Sequence, residues 1–245
     1  MDSENLANGS TPDTRKVAIL QSNYIPWKGY FDMIAAVDEF ILFDVVQYTR
    51  RDWRNRNKIK TPNGTQWLTI PVQVKGKYLQ KIEETEVDNT DWAEKHWNIL
   101  QQNYKKAPYY NEIQEWLEPL YRNKYTNLST LNRVFIENIC TYLGINTLIT
   151  NASDYIISEG ANERLLHLCQ QARATDYISG PAARDYLDEA LFETNQIKVH
   201  WFDYSGYPEY PQLWGTFAHE VSILDLLFNC GTQSPAYMKY VSNSK

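Results

Sequence analysis

The sequence predicts an α/β fold, a mostly parallel central sheet carrying a helical insertion. Three observations predict it. Short apolar runs that read as buried strands recur along the chain, and segments with apolar residues at three- and four-residue spacing stand between them. The first two runs, VAILQ and ILFDVV, enclose a loop and one helical segment within about 30 residues, which suits a parallel crossover. Residues 91–143 are mainly helical, and the strand–helix rhythm resumes after them.

Residues 1–15, MDSENLANGSTPDTR, are polar and aperiodic and read as a disordered leader; residues 16–245 read as one domain. VAILQ is the first strand. SNYIPWKGY carries a proline and a glycine and reads as a loop, FDMIAAVDEF as a helix and ILFDVV as the second strand. Asn63-Gly64 marks a tight turn before WLTIPVQV, which alternates like a strand. WAEKHWNILQQNYKKA is helical up to Pro108, NEIQEWLEPLYRN is helical with an interruption at proline, and LSTLNRVFIENICTYLG ends at Gly144. INTLITNAS reads as a strand, ANERLLHLCQQA as a helix and TDYISG as a strand and turn. PAARDYLDEALF is a helix, IKVHWFDY a strand, and HEVSILDLLFNCG a helix ended by Gly231.

Composition removes several classes. Of the 245 residues 43% are hydrophobic and 22% charged, the balance of a folded domain. Mean hydropathy is −0.55, and no run reaches the ~18–20 apolar residues of a membrane span. Cys140, Cys169 and Cys230 are too few and too scattered for a disulfide framework or a CxxC zinc site. With no apolar leader segment, free thiols point to the cytoplasm. The net charge of −6 argues against a nucleic-acid binder working by bulk attraction. The charge is uneven, however: Arg50 to Lys60, RRDWRNRNKIK, holds six cations and one anion.

Three segments and one histidine carry chemistry. Gln21 to Tyr30 follows the first strand, and the carboxyl ends of strands are where open α/β sheets bind ligands. Gln21 offers an amide; Tyr24, Trp27 and Tyr30 offer flat faces. The second segment runs from Asp44 to Lys60. Asp44 ends the second strand and is a candidate base. Arg54 and Lys60 suit an anionic group, Trp53 a stacked ring, and Gln47 and Asn57 neutral polar contacts. In the third, Ser179 and Gly180 precede Pro181 at a helix start, an anion-binding arrangement. His219 opens the last helix and is the second candidate base. The ordinary alternatives are a packed turn, a solvated charged face and an N-cap serine. No Walker loop, GxGxxG, HExxH or paired Cys/His set occurs, so no metal or dinucleotide is called for.

The motifs ILQSNYIPWKGYFDMI, DVVQYTRRDWRNRNKIKTPNG, WLTIPV, YISGPAARDYL, YPEYPQL and HEVSILDLLFNCG, spread from Val17 to Gly231, resemble the WbqC-like protein family. That family is bacterial and phage-associated and is named from clusters that build O-antigen polysaccharides. The resemblance implies acyl or aminoacyl transfer, glycyl for example, to an amino group on a nucleotide sugar. It implies a small phosphorylated or nucleotide-linked substrate, and a nucleotide or an activated aminoacyl or acyl donor as co-substrate. The opening strand–YIPWKGYFDMI–strand unit also resembles Rossmann-like, nucleotidyltransferase-like proteins, but Trp27 and Tyr30 stand where that group carries histidines. Three readings stay open: this transferase, the same chemistry on a modified base in phage DNA, and a non-catalytic binding or assembly protein.

Overall fold

In the computed structural model, which describes residues 14–88 and 91–241, five short segments form one sheet whose paired strands are all parallel. They are β1 (Lys16–Leu20), β2 (Glu39–Leu42), β5 (Leu148–Asn151), β6 (Asp176–Ser179) and β7 (Lys198–Trp201). The spatial order is β5-β2-β1-β6-β7. The chain thus builds outward from β1 in one direction, then returns to the other side of it. Sheets with such a reversal bind ligands outside the carboxyl ends of the strands flanking the switch point, here β1 and β6.

Side-chain alternation divides the apolar residues of each strand between two layers. Ala18, Phe40, Leu42 and Ile178 face the larger cluster, built with α1 (Lys28–Ala35), α2 (Asp91–Tyr104), α3 (Tyr110–Arg122), α4 (Leu128–Leu143) and α7 (Ile223–Cys230). Val17, Ile19, Ile41 and Tyr177 face the smaller one, under α5 (Ala161–Gln171) and α6 (Glu189–Thr194). Each fully buried aliphatic or aromatic side chain contributes about 1.5–3 kcal/mol relative to exposure.

A separate antiparallel hairpin, β3 (Arg56–Thr61) and β4 (Gly64–Thr69), turns through Pro62 and Asn63, one residue before the expected Asn63-Gly64 pair, because Thr61 already pairs with Gly64. Its inner face carries Asn57, Ile59 and Leu68; Arg56, Lys58 and Trp67 lie on the other.

The structure corrects several local expectations. Residues 1–13 of the proposed leader lie outside the described residues, but Arg15 belongs to the fold. Its backbone N–H donates to Thr175 and its guanidinium to Ala172 O and Glu39. Helix α3 runs through Pro119, because the face carrying Ile113, Leu117, Leu120 and Tyr121 is buried. PAARDYLDEALF is not one helix. A 3-10 turn spans Pro181–Asp185, and Asp188 then caps α6 by accepting from Leu191 N. Helix α7 begins at Ile223, where the Ser222 side chain caps Leu224 N, so His219 lies in the preceding loop. No described helix is long and apolar enough to cross a membrane.

Candidate functional site

The loop after β1 is held in an unusual shape. Ile25 has φ +38°, a costly value for a β-branched residue. Three neighbours fix it. The Asn57 side-chain amide donates to Tyr24 O at 3.1 Å and Ile25 O at 2.9 Å. Tyr24 N donates to Trp53 O, and Ile223 N to Pro26 O. Below the loop, the Tyr24 hydroxyl lies 2.9 Å from His96 Nδ1 and 2.7 Å from the Tyr121 hydroxyl. Burial pulls the His96 imidazole down to about 4.

Above the loop lies a cleft of about 380 Å³ lined by Asn23, Pro26, Trp27, Trp53, Asn57, His219 and Glu220. Four sequence candidates meet here: Trp27, Trp53, Asn57 and His219. Trp27 caps α1, and its indole lies over Gly29, where a Cβ would come within 2.4 Å of the ring. Gly29 therefore makes room for the indole. The guanidinium of Arg54 reaches Asn23 Oδ1, Gln21 Oε1 at 3.3 Å and Asp52 at 3.6 Å. It ties the hairpin to the β1 loop beside the cleft. Glu220 is a lining residue that the sequence motifs do not mark. Its signal was adjacency to His219, and it pairs with Lys58 at 3.2 Å.

Other candidates lie elsewhere. Tyr24 and Tyr30 are buried in the core; the Tyr30 hydroxyl donates to Gln21 O at 3.0 Å. Asp44, Gln21 and Ser179 share the carboxyl edge of the sheet, as expected from their strands. The Asp44 carboxylate, however, accepts from Ser22 N and Ser129 Oγ and lines a different cavity, of about 380 Å³, with Arg133 and Glu137. Asp44 is thus engaged and separate from His219. Ser179 is buried, and a Cβ at Gly180 would lie 3.9 Å from the hydroxyl of Tyr204, whose ring is 5.3 Å by centroids from Trp27. The segment after Gly180 is a five-residue 3-10 turn, too short to build the N-terminal dipole of the expected α-helix. Gln47 donates to Tyr78 O and holds a distant loop.

Lys60 is buried. Its ammonium donates to Gln212 Oε1 and Thr216 O, anchoring the irregular segment 202–222 that carries His219 and Glu220. Lys28 anchors the same segment through Pro208 O at 2.8 Å, and burial lowers its ammonium to about 8. Asp225, also buried, accepts from Tyr104 at 2.7 Å and Tyr210 at 2.9 Å; burial raises its carboxyl above the ordinary range. Burial pushes the Cys230 thiol up to about 11, which disfavours a thiolate nucleophile at neutral pH. Among the described residues no group of three or more His, Cys, Asp or Glu is placed to hold a metal ion. The largest of the described cavities, about 720 Å³, lies between α2 and α3, away from the His219 cleft.

The model of the WbqC-like protein family matches residues 21–237, which include every lining residue of the cleft. The chain belongs to the WbqC-like protein family. It is also 59% identical over 227 residues to the uncharacterized protein Rv1507c of Mycobacterium tuberculosis (strain ATCC 25618 / H37Rv), covering 92% of this chain and 98% of that one. No solved structure matches it. For this WbqC-like chain, membership and cleft coincide: the matched span opens at Gln21, where the β1 loop begins, and closes beyond α7.

Proposed function

We propose that this WbqC-like protein transfers an acyl or aminoacyl group, such as glycyl, to the amine of a nucleotide-linked or otherwise phosphorylated sugar in surface-polysaccharide (O-antigen) biosynthesis. The observation that carries the reading is the cleft joining His219 to Trp27 and Trp53 at the carboxyl end of β1. Indoles suit a sugar or base ring, and Asn23 and Glu220 supply polar contacts. The strand order, with its switch point at β1 and β6, supports a Rossmann-like, nucleotidyltransferase-like reading of the sheet.

In this mechanism the acceptor amine attacks the carbonyl of the activated donor. A C–N bond forms, His219 takes the amine proton, and the donor's C–O or C–S bond breaks. The proton then passes to the leaving group. Arg54 faces the anionic part of the substrate and steadies it. Asp44 holds the β1 loop through Ser22 N rather than acting as the base.

The test offers activated glycyl and acyl donors to amino-sugar nucleotides and reads amide product by mass spectrometry. His219→Ala should lose at least about 100-fold in turnover, whereas Asp44→Asn should retain it. Arg54→Ala should weaken binding of the phosphorylated acceptor by about tenfold to a hundredfold. Full activity in His219→Ala removes the base. No product with any donor overturns the reading in favour of a binding protein.

A further inference from the structure

The outer face of the β3–β4 hairpin meets the cleft at Trp53 and through the Lys58–Glu220 pair, and the rest of it takes no part in the proposed transfer. Trp53 and Trp67 are each 39% exposed, with ring centroids 5.3 Å apart. Trp67 lies directly across the ladder from Lys58. Cations sit over both indoles: Arg56 is 4.1 Å from the Trp67 ring, and Lys58 is 5.2 Å from Trp67 and 5.8 Å from Trp53. The basic surface continues through exposed Arg51, whose carbonyl accepts from Arg56, to Arg50, whose guanidinium lies 5.3 Å from the Tyr78 ring. The neighbouring acids are Asp52, which bonds Thr49, Trp53 N and Arg54, and Glu220, which pairs with Lys58. Among the described residues no salt bridge pairs Arg50, Arg51 or Arg56 with a carboxylate. A row of cations over flat rings, in a chain of net charge −6, is a local device.

We propose that this face is a platform for a single-stranded nucleic acid, distinct from the His219 cleft but touching it at Trp53. Bases stack on Trp53 and Trp67; Arg50, Arg56 and Lys58 turn from the rings to the phosphates, and exposed Arg51 joins them there. Aromatic side chains interleaved with cations that track a backbone are the general means of holding single strands without reading sequence. Charge complementarity also admits an anionic membrane, but the apolar content argues for the strand. Flat indoles lie beneath the cations, and among the described residues the strongly exposed aliphatic side chain beside this patch is Leu79, at 83%, next to the Tyr78 ring under Arg50. A lone leucine anchors weakly at a bilayer.

The test measures anisotropy of a fluorescein-labelled oligothymidylate and an oligouridylate with the full-length protein, beside sedimentation with phosphatidylserine vesicles. Four phosphate contacts predict affinity falling about 50-fold between about 50 and 200 mM salt, from a slope of about −0.7 per contact on single strands. Trp67→Ala should weaken binding about tenfold. Arg56→Gln should lower the salt slope by about one contact's worth. Circular dichroism and thermal melting establish that both variants stay folded. If Trp67→Ala fails to fold, Trp67→Phe, which keeps a smaller stacking face, should bind between wild type and Arg56→Gln/Trp67→Phe. The two oligonucleotides distinguish DNA from RNA as the source of the strand. Absence of binding at low salt, unchanged binding in the folded variants, or binding to vesicles alone overturns the proposal. None of these readouts depends on transferase activity.

Discussion

Asn57 on β3 holds Ile25, at φ +38°, through a 2.9 Å hydrogen bond to its carbonyl. The same amide serves Tyr24 O, and its own oxygen accepts from Lys58 N. One buried side chain therefore joins the hairpin to the loop that floors the cleft. Asn57→Ala should cost about 2–3 kcal/mol, because two buried carbonyls lose their donor while the strained turn remains. Urea unfolding monitored by tryptophan fluorescence would show it; a loss below about 0.5 kcal/mol would mean the loop keeps its shape unaided.

His96 makes stability depend on pH in a defined direction. Its folded value near 4 is below the unfolded value of 6.5, so between these the unfolded chain binds more protons. Its contribution is complete above about pH 6.5 and lost as pH falls toward 4, to the order of 3 kcal/mol. His96→Gln keeps a polar partner for Tyr24 and removes the titration. Its unfolding free energy should vary less than wild type between pH 6.5 and 4, as read from urea midpoints at stepped pH.

Gly29→Ala should disturb the cleft more than the fold. Alanine suits a helix, but its Cβ meets the Trp27 ring and forces the indole out of the cleft wall. The expected outcome is a shifted tryptophan emission and weakened ligand binding, with melting within a few degrees of wild type.

Tyr210→Phe tests the anchoring beneath the 202–222 segment. Asp225 would keep Tyr104 but lose one of two hydroxyl donors to its buried carboxylate. A cost of about 1–3 kcal/mol is expected. Limited proteolysis should also cut faster within residues 202–222.

Apolar periodicity by itself determined the five strands of the parallel sheet and most helices, but not β3, whose RNKIKT reads as a basic island. Those features depend on local alternation, and a buried strand such as VAIL has few other places to go. Asn63-Gly64 likewise marked the hairpin, although the loop itself is Pro62-Asn63 and only Gly64, the first residue of β4, takes a positive φ. Trp27, Trp53 and His219 were legible as candidates because large aromatics and a histidine beside strand ends are uncommon. Their meeting was not legible, since it depends on which loop the hairpin covers. In the Arg50–Lys60 island the sequence showed charge, but only the ladder register showed that Arg56 and Lys58 lie on the outer face while Asn57 turns inward. Tertiary structure also decided the fate of Asp44, Tyr24 and Lys60. A carboxylate, a phenol and an ammonium look equally available in a sequence. Burial obliges each to find partners within the fold, and Ser129, His96 and Thr216 supply them.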